Sequence, residues 1–228
     1  MKTFCLNMAA DSERLKTFST NYPESLPAFE RWNAKTADDV QIPSWWRTPA
    51  RYWANALNFI EMFDACANGT EDFLIFEDDC IFRPDFNERF DLFLAEVPQD
   101  WQFINLGPVM SQCRLYPPMQ VSENILKPRY FHGTHAILVR PEFAKVCADH
   151  LRREHWGTSH VCDQWLGTLF INPDFAKVYC PKVSLCGQSA GVSTLTGREY
   201  QDRWFMNYQY VDLEGKITRA LDPYFAEG

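Results

Sequence analysis

Phe73-Leu74-Ile75-Phe76-Glu77-Asp78-Asp79-Cys80 joins an unbroken apolar run to three consecutive acids. Four apolar residues without alternation predict a strand buried on both faces, as in a largely parallel sheet covered by helices. Ligands of such sheets bind at the carboxyl ends of strands, which is where the acids fall. Carboxylates this close repel one another unless water or a cation relieves them. If the strand continues, Glu77 and Asp79 point to one side and Asp78 to the other. Two oxygen ligands on one face then suit magnesium or manganese, with water and substrate phosphates completing the shell. The plainer alternative is a solvated acidic turn at the strand end.

Working outward, Thr3–Leu6 and Ala28–Asn33 predict two strands, with a helix between them capped at Asp11 or Ser12. The next helix is expected to be capped by Thr48, with Pro49 in its first turn and Asn68-Gly69 at its end. Its residues Trp53, Ala56, Leu57, Ile60 and Phe63 recur at helical spacing and predict a core-facing stripe. Beyond the acids, Pro84 opens a helix with Phe86, Phe90, Phe93 and Val97 on one side, and Phe103–Leu106 is a further strand. Residues 107–130 carry four prolines and no clear period, which predicts a long loop. Ala136–Val139 is a strand, helices follow over Pro141–Leu151 and Val161–Phe170, and Ala176–Cys180 is expected to be the last strand. Alternating strands and helices predict an α/β class with a mostly parallel, mixed central sheet flanked by helices. The organisation read from this order is one domain over 1–228. Its segments are 1–106, 107–190 and 191–228, the last a C-terminal extension.

A length of 228 residues with 46% hydrophobic and 23% charged residues fits one globular domain. The net charge of −8, with no basic run, argues against a binder of bulk nucleic acid. A divalent cation would supply the positive charge that a phosphate-bearing substrate needs. Eight cysteines, none at CxxC spacing, argue against a zinc ribbon. With no signal-peptide pattern and no run of membrane-spanning length, the chain is expected to be cytosolic with free thiols.

Several segments together resemble glycosyltransferase family 25 and related viral sugar transferases. Leu6-Asn7 with Arg14 and Phe18 resembles the family's "INL…R…F" start. Phe76-Glu77-Asp78-Asp79-Cys80 with Pro84-Asp85-Phe86 resembles its "LEDD" segment, and Ile104-Asn105-Leu106-Gly107 the strand after it. Gly133-Thr134-His135-Ala136-Ile137-Leu138-Val139 is similar to its "GT-AY" segment, and Asp163-Gln164 to its "DQ" pair. The resemblance spans about residues 3 to 190 and implies a GT-A fold. It further implies a nucleotide diphosphate sugar donor, expected to be a UDP-sugar, and manganese as the metal. The acceptor hydroxyl would lie on a glycan, glycolipid or protein glycan; if the chain is viral, it would work in the host cytoplasm. The chain departs from the family where Asn58-Phe59 replaces a Ser-His pair, which leaves the donor sugar open and points to a distant branch.

The resemblance assigns roles, making 1–106 the nucleotide-sugar-binding half and 107–190 the acceptor and catalytic half. Asp79 is the expected metal ligand, with Glu77 helping and Asp78 helping or contacting the ribose. Asn7 and Arg14 would lie near the nucleotide, Arg14 pairing a phosphate because a guanidinium suits two oxygens at once. Ala34, Lys35 and Asp38 would touch base or ribose. Asp163 is the candidate general base of an inverting transfer; its plain alternative is a carboxylate stabilising a helix N-terminus. His132, His135, His150, His155 and His160 are read as packed or surface groups rather than metal ligands, although His155 and His160 lie near Asp163. Cys186–Ser193 could close over a diphosphate through backbone amides, or be an ordinary surface loop. Two other classes share these features: a different metal-dependent phosphate enzyme, either nucleotidyltransferase or phosphohydrolase, and a carbohydrate-binding module without chemistry.

Overall fold

The computed structural model describes residues 1–153, 161–204 and 208–220. In chain order the elements are β1 (Lys2–Asn7), α1 (Ser12–Thr20), β2 (Phe29–Asn33), α2 (Ala50–Ala67), β3 (Phe73–Glu77), β4 (Cys80–Phe82) and α3 (Phe86–Glu96). There follow β5 (Phe103–Asn105), β6 (Met119–Gln120), β7 (Ile125–Lys127), β8 (Ala136–Val139), α4 (Pro141–Leu151) and α5 (Cys162–Gly167). The last are β9 (Val178–Pro181), β10 (Cys186–Gln188), β11 (Gly191–Val192), β12 (Glu199–Tyr200), β13 (Gln209–Val211) and β14 (Ile217–Arg219).

Ten strands form one sheet in the order β14-β13-β6-β7-β9-β5-β8-β3-β1-β2. β2, β1 and β3 run parallel, and β8 enters antiparallel between β3 and β5. The start of β8 therefore lies beside the carboxyl end of β3. The sheet carries strands from residues 1–106, 107–190 and 191–220 alike.

Strand periodicity sorts the core into two layers. Phe4, Leu6, Phe73, Ile75, Ile137 and Val139 pack on one face with α2 and α4, through Phe59, Phe63, Phe143 and Cys147. Cys5, Leu74, Phe76, Ala136 and Leu138 pack on the other with Phe18 of α1 and Phe86, Phe90 and Phe93 of α3. Both faces are dry, as an unbroken apolar run requires. Burying each such ring contributes about 1.5–3 kcal/mol.

The α/β class and the mixed sheet flanked by helices are as expected, and three particulars change. Pro49, not Thr48, holds the cap position of α2. Residues 107–130 are not one loop, because β6 and β7 form a hairpin there that joins the sheet at β9. Val178–Pro181 is not the last strand. The tail adds β10 against β4, β11 against β12, and the β13–β14 hairpin whose edge pairs with β6. All eight cysteines are free thiols, and no described helix is long and apolar enough to cross a membrane.

Candidate functional site

β3 ends at Glu77, and Asp78-Asp79 turn into β4 rather than continuing the strand. The amide of Asp78 donates to the Leu6 carbonyl (3.2 Å), so the turn stays bonded to the end of β1. Asn7 closes β1 from the same edge. Its Nδ2 donates to Asp78 Oδ2 at 2.7 Å, and its Oδ1 accepts from Arg31 Nε of β2 at 2.9 Å. Arg14, one turn into α1, reaches Asp78 Oδ1 at 2.6 Å and Asp79 Oδ2 at 3.5 Å. Asn7, Arg14, Asp78 and Asp79 are thus brought together at one end of the sheet. Glu77 lines the same cleft but is bonded elsewhere, accepting from Thr134 Oγ1 at 2.7 Å.

The acids are strained electrostatically. Burial, then the charge of Asp79, pushes the Glu77 carboxyl up to about 8 against the opposing Thr134 hydrogen bond. Burial also lifts Asp78, to about 6, although Arg14 and the Asn7 hydrogen bond pull it down. Asp79 Oδ2 accepts from Gln188 Nε2 (3.2 Å), while Oδ1 is buried with no hydrogen-bond partner among the described residues. A buried carboxylate oxygen left unmatched is costly unless a ligand meets it.

Two clefts meet at Arg14, Asp78, Asp79, Ser193 and Arg203. The first runs from Glu77 toward Ala34 and Lys35 beyond β2, and along Arg51 and Asn58 of α2. Asn58 Oδ1 accepts from the Lys35 amide at 2.8 Å and its Nδ2 donates to the Lys35 carbonyl at 3.3 Å. Where family 25 has Ser-His, Asn58 therefore braces the segment after β2, and Phe59 is core. Asp38 is exposed in a short 3-10 turn and does not line the cleft. Instead Asp39 closes that turn on Thr36. The second cleft is bounded by Glu13 and Thr17 of α1, by residues 189–193 and by Tyr200.

Positive charge is already present here. Arg14, Lys35, Arg51 and Arg203 all line the first cleft, so a phosphate would not depend on a cation alone. Arg203 Nη2 donates to Gln188 Oε1 (3.0 Å) and its guanidinium lies 3.9 Å from the Tyr200 ring centroid. Arg51 donates to the Leu195 carbonyl. Part of Cys186–Ser193 is strand β10 rather than loop, and its pairing with β4 carries Gln188 to Asp79.

Asp163 lies in the first turn of α5 and is bonded throughout. Its Oδ2 accepts from the Gly133 amide and its Oδ1 from the Gln164 amide, both at 2.8 Å. Oδ2 is also 3.6 Å from His132 Nδ1. Burial alone would raise this carboxyl, but the hydrogen bond and charge of His132 with the two amides hold it below the usual range. His132 Nε2 faces Ser111 Oγ at 2.8 Å. Asn105, fully buried, donates to the Gly133 carbonyl (2.7 Å) and accepts from the Gly107 amide (2.9 Å), fixing this turn.

The other described histidines are packed, as read. His135 is buried, and burial pushes it down to about 4, which keeps the ring neutral. His150 stacks on Trp165 at 4.8 Å. His155 and His160 lie outside the described residues. Arg31 and Arg203 were not read from the sequence, and Asn105, Thr134 and Gln188 entered only inside quoted segments, with no role of their own; tertiary pairing brings each to the site, which no local pattern encodes.

Among the described residues, no group of three or more His, Cys, Asp and Glu is placed to hold a metal ion. The donor set nevertheless suits a cation that a diphosphate would share, because the partnerless Asp79 Oδ1 is a hard oxygen beside the crowded Glu77. Asp78 fits less well, since Arg14 and Asn7 already occupy its two oxygens.

Two solved structures are similar in outline. One is A197 from STIV, with TM-score 0.41 and 11% identity over 97% of this chain and 95% of that one. The other is the glycosyltransferase GlyE of Streptococcus pneumoniae TIGR4, with TM-score 0.44 and 12% identity over 78% of this chain and 44% of that one. No family model matches the sequence, and no curated protein matches it significantly. The resemblance to family 25 therefore stands on the quoted segments alone.

Proposed function

We propose that this chain is a glycosyltransferase that moves a sugar from a nucleotide diphosphate to an acceptor hydroxyl. The observation that carries this reading is the meeting of opposite charges in one cleft. A crowded acidic turn with a partnerless Asp79 oxygen faces Arg14, Lys35, Arg51 and Arg203 at the carboxyl ends of β1 and β3. Arginines recognise diphosphate oxygens in pairs. Carboxylates in the same cleft suit a shared cation or sugar hydroxyls.

In this reading the nucleoside lies along Ala34, Lys35 and Asn58, and the diphosphate turns toward Arg14 and Arg203. Asp79, with Glu77, would hold manganese or magnesium, which when bound neutralises charge on the departing diphosphate. The acceptor oxygen attacks the anomeric carbon, the bond from that carbon to the diphosphate oxygen breaks, and its electron pair leaves with the phosphate. One base must take the hydroxyl proton, and the Asp163–His132 pair is the base-bearing group across β8 from the acids. The ring faces of Tyr116 and Tyr130, 6.1 Å apart beside His132, suit a glycan acceptor. A UDP-sugar is the proposed donor.

The test is a panel of UDP- and GDP-sugars with p-nitrophenyl glycoside acceptors, assayed for nucleotide release and glycoside product with and without manganese. Product formation stimulated by manganese is expected. Nucleotide release that never needs an acceptor would indicate a phosphohydrolase, and silence with every donor would leave a binding module.

A further inference from the structure

The transferase reading leaves open which atom receives the acceptor proton, and Asp163 is poorly arranged for it. Each of its oxygens accepts a backbone amide at 2.8 Å. A carboxylate stabilised by two amides and a neighbouring imidazole holds protons weakly, and the carboxyl is accordingly held below its usual range.

His132 has the complementary arrangement. Its Nδ1 lies 3.6 Å from Asp163 Oδ2, longer than a hydrogen bond but close enough for the carboxylate charge to favour the tautomer with the proton on that nitrogen and Nε2 as the acceptor. Nε2 already meets a hydroxyl, that of Ser111, at 2.8 Å. Ser111 is exposed on the segment between β5 and β6, so an incoming hydroxyl can take its place without opening the core. The backbone of His132 is pinned on both sides. It exchanges amide and carbonyl bonds with Val109 (2.8 and 3.1 Å), and Gly133 follows at φ 86°, a conformation that turns its amide onto Asp163. The next two residues reach the donor side: Thr134 Oγ1 donates to Glu77, and the His135 carbonyl accepts from the Glu77 amide. The run His132–His135 thus ties the proton-accepting nitrogen to the acidic end of β3.

We propose that His132 Nε2 is the general base for the acceptor hydroxyl, and that Asp163 is a positioning residue that orients the ring and stabilises the imidazolium. This rests on the transferase reading. The hydroxyl proton passes to Nε2 as the new glycosidic bond forms, and the diphosphate carries away the electron pair of the bond that breaks. Among the described residues, the charged and titratable groups facing the ring are Asp163 from α5 and Tyr130 from its own segment, with Tyr116 and Arg129 one layer out and Glu77 behind Thr134.

The experiment compares the full chain with His132→Gln, Asp163→Asn and Ser111→Ala on the donor that the panel identifies. It records kcat, donor KM, pH–rate profiles and UDP affinity by calorimetry. His132→Gln is expected to lower kcat by about 100-fold or more, with UDP affinity unchanged and the acidic limb of the profile abolished. Asp163→Asn is expected to lower kcat less, with donor KM unchanged, and Ser111→Ala to stay near wild type. Wild-type kcat with an unaltered acidic limb in His132→Gln would overturn the assignment while leaving the transferase reading intact. So would a larger kcat loss in Asp163→Asn than in His132→Gln, or a Ser111→Ala loss as deep as that of His132→Gln, which would make the hydroxyl itself essential. A wild-type chain that turns over no donor would instead overturn the transferase reading, and this assignment with it.

Discussion

The end of β3 and the start of α5 both present carboxylates to the site, but the fold treats them oppositely. At β3, Glu77, Asp78 and Asp79 crowd together, two of them are pushed up, and one oxygen of Asp79 is buried without a partner. At α5, Asp163 has an amide for each oxygen and is held down. The difference teaches that the first group has charge left unmatched, which in the proposed reading a ligand would meet, whereas the second is already satisfied and in that reading would hold something else in place.

The largest expected effect lies on the crowded side. Asp79→Asn should lower kcat by about 1,000-fold, because several kcal/mol of transition-state stabilisation depend on charge at that oxygen. Steady-state rates with the identified donor check this, and an active variant would remove the asymmetry between the two groups. Gly167→Ala strikes the satisfied side through packing alone. A Cβ there would overlap the Phe131 carbonyl oxygen, forcing α5 away from the segment that leads to His132. It should cost about 1–3 kcal/mol in urea denaturation, and the folded fraction should keep its UDP affinity while losing kcat. Arg14→Ala should weaken UDP binding by about 10-fold in calorimetry, because it removes a charge-assisted contact to phosphate.

The smallest effect concerns pH. A carboxyl whose folded-state pKa is raised contributes stability below the ordinary carboxylate range and loses it as pH rises through the folded value. For Glu77 that loss runs from about pH 4 to about 8. Glu77→Gln keeps an acceptor for Thr134 but carries no charge, so it should match wild type in acid and exceed it at pH 8 by about 2–4 °C in Tm, roughly 1 kcal/mol. Thermal melts across that range check the sign. A variant less stable at pH 8 would mean that Glu77 is not crowded.

Local pattern carries the N-terminal half. The runs that became β1 and β3, the α2 stripe and the acids after β3 are all contiguous signals; Asp78 and Asp79 follow from them, whereas Asn7 and Arg14 came only from the resemblance. Asp38 was misplaced because the turn after β2 directs its neighbours Ala34 and Lys35, not itself, to the cleft. Beyond residue 107, Ala136–Val139 and Pro141–Leu151 were still legible, but most other signals are tertiary. Strands of two or three residues, such as Met119–Gln120 and Gln209–Val211, are too short to show a period and exist because they pair with each other across the sheet. His132 and Asp163 stand 31 residues apart in sequence and meet only because Gly133 and the start of α5 converge. The Asp-Gln pair was legible, while the histidine beside it read as one more packed ring.

The central claim is that the turn after β3 receives a nucleotide diphosphate against its carboxylates and arginines. A crystal structure of the chain grown with UDP and manganese tests it most directly. The account predicts the diphosphate between Arg14 and Arg203, with a cation on the Asp79 oxygen that now lacks a partner. Nucleotide bound elsewhere, or absent while Arg14 remains paired with Asp78 and Asp79, would contradict it.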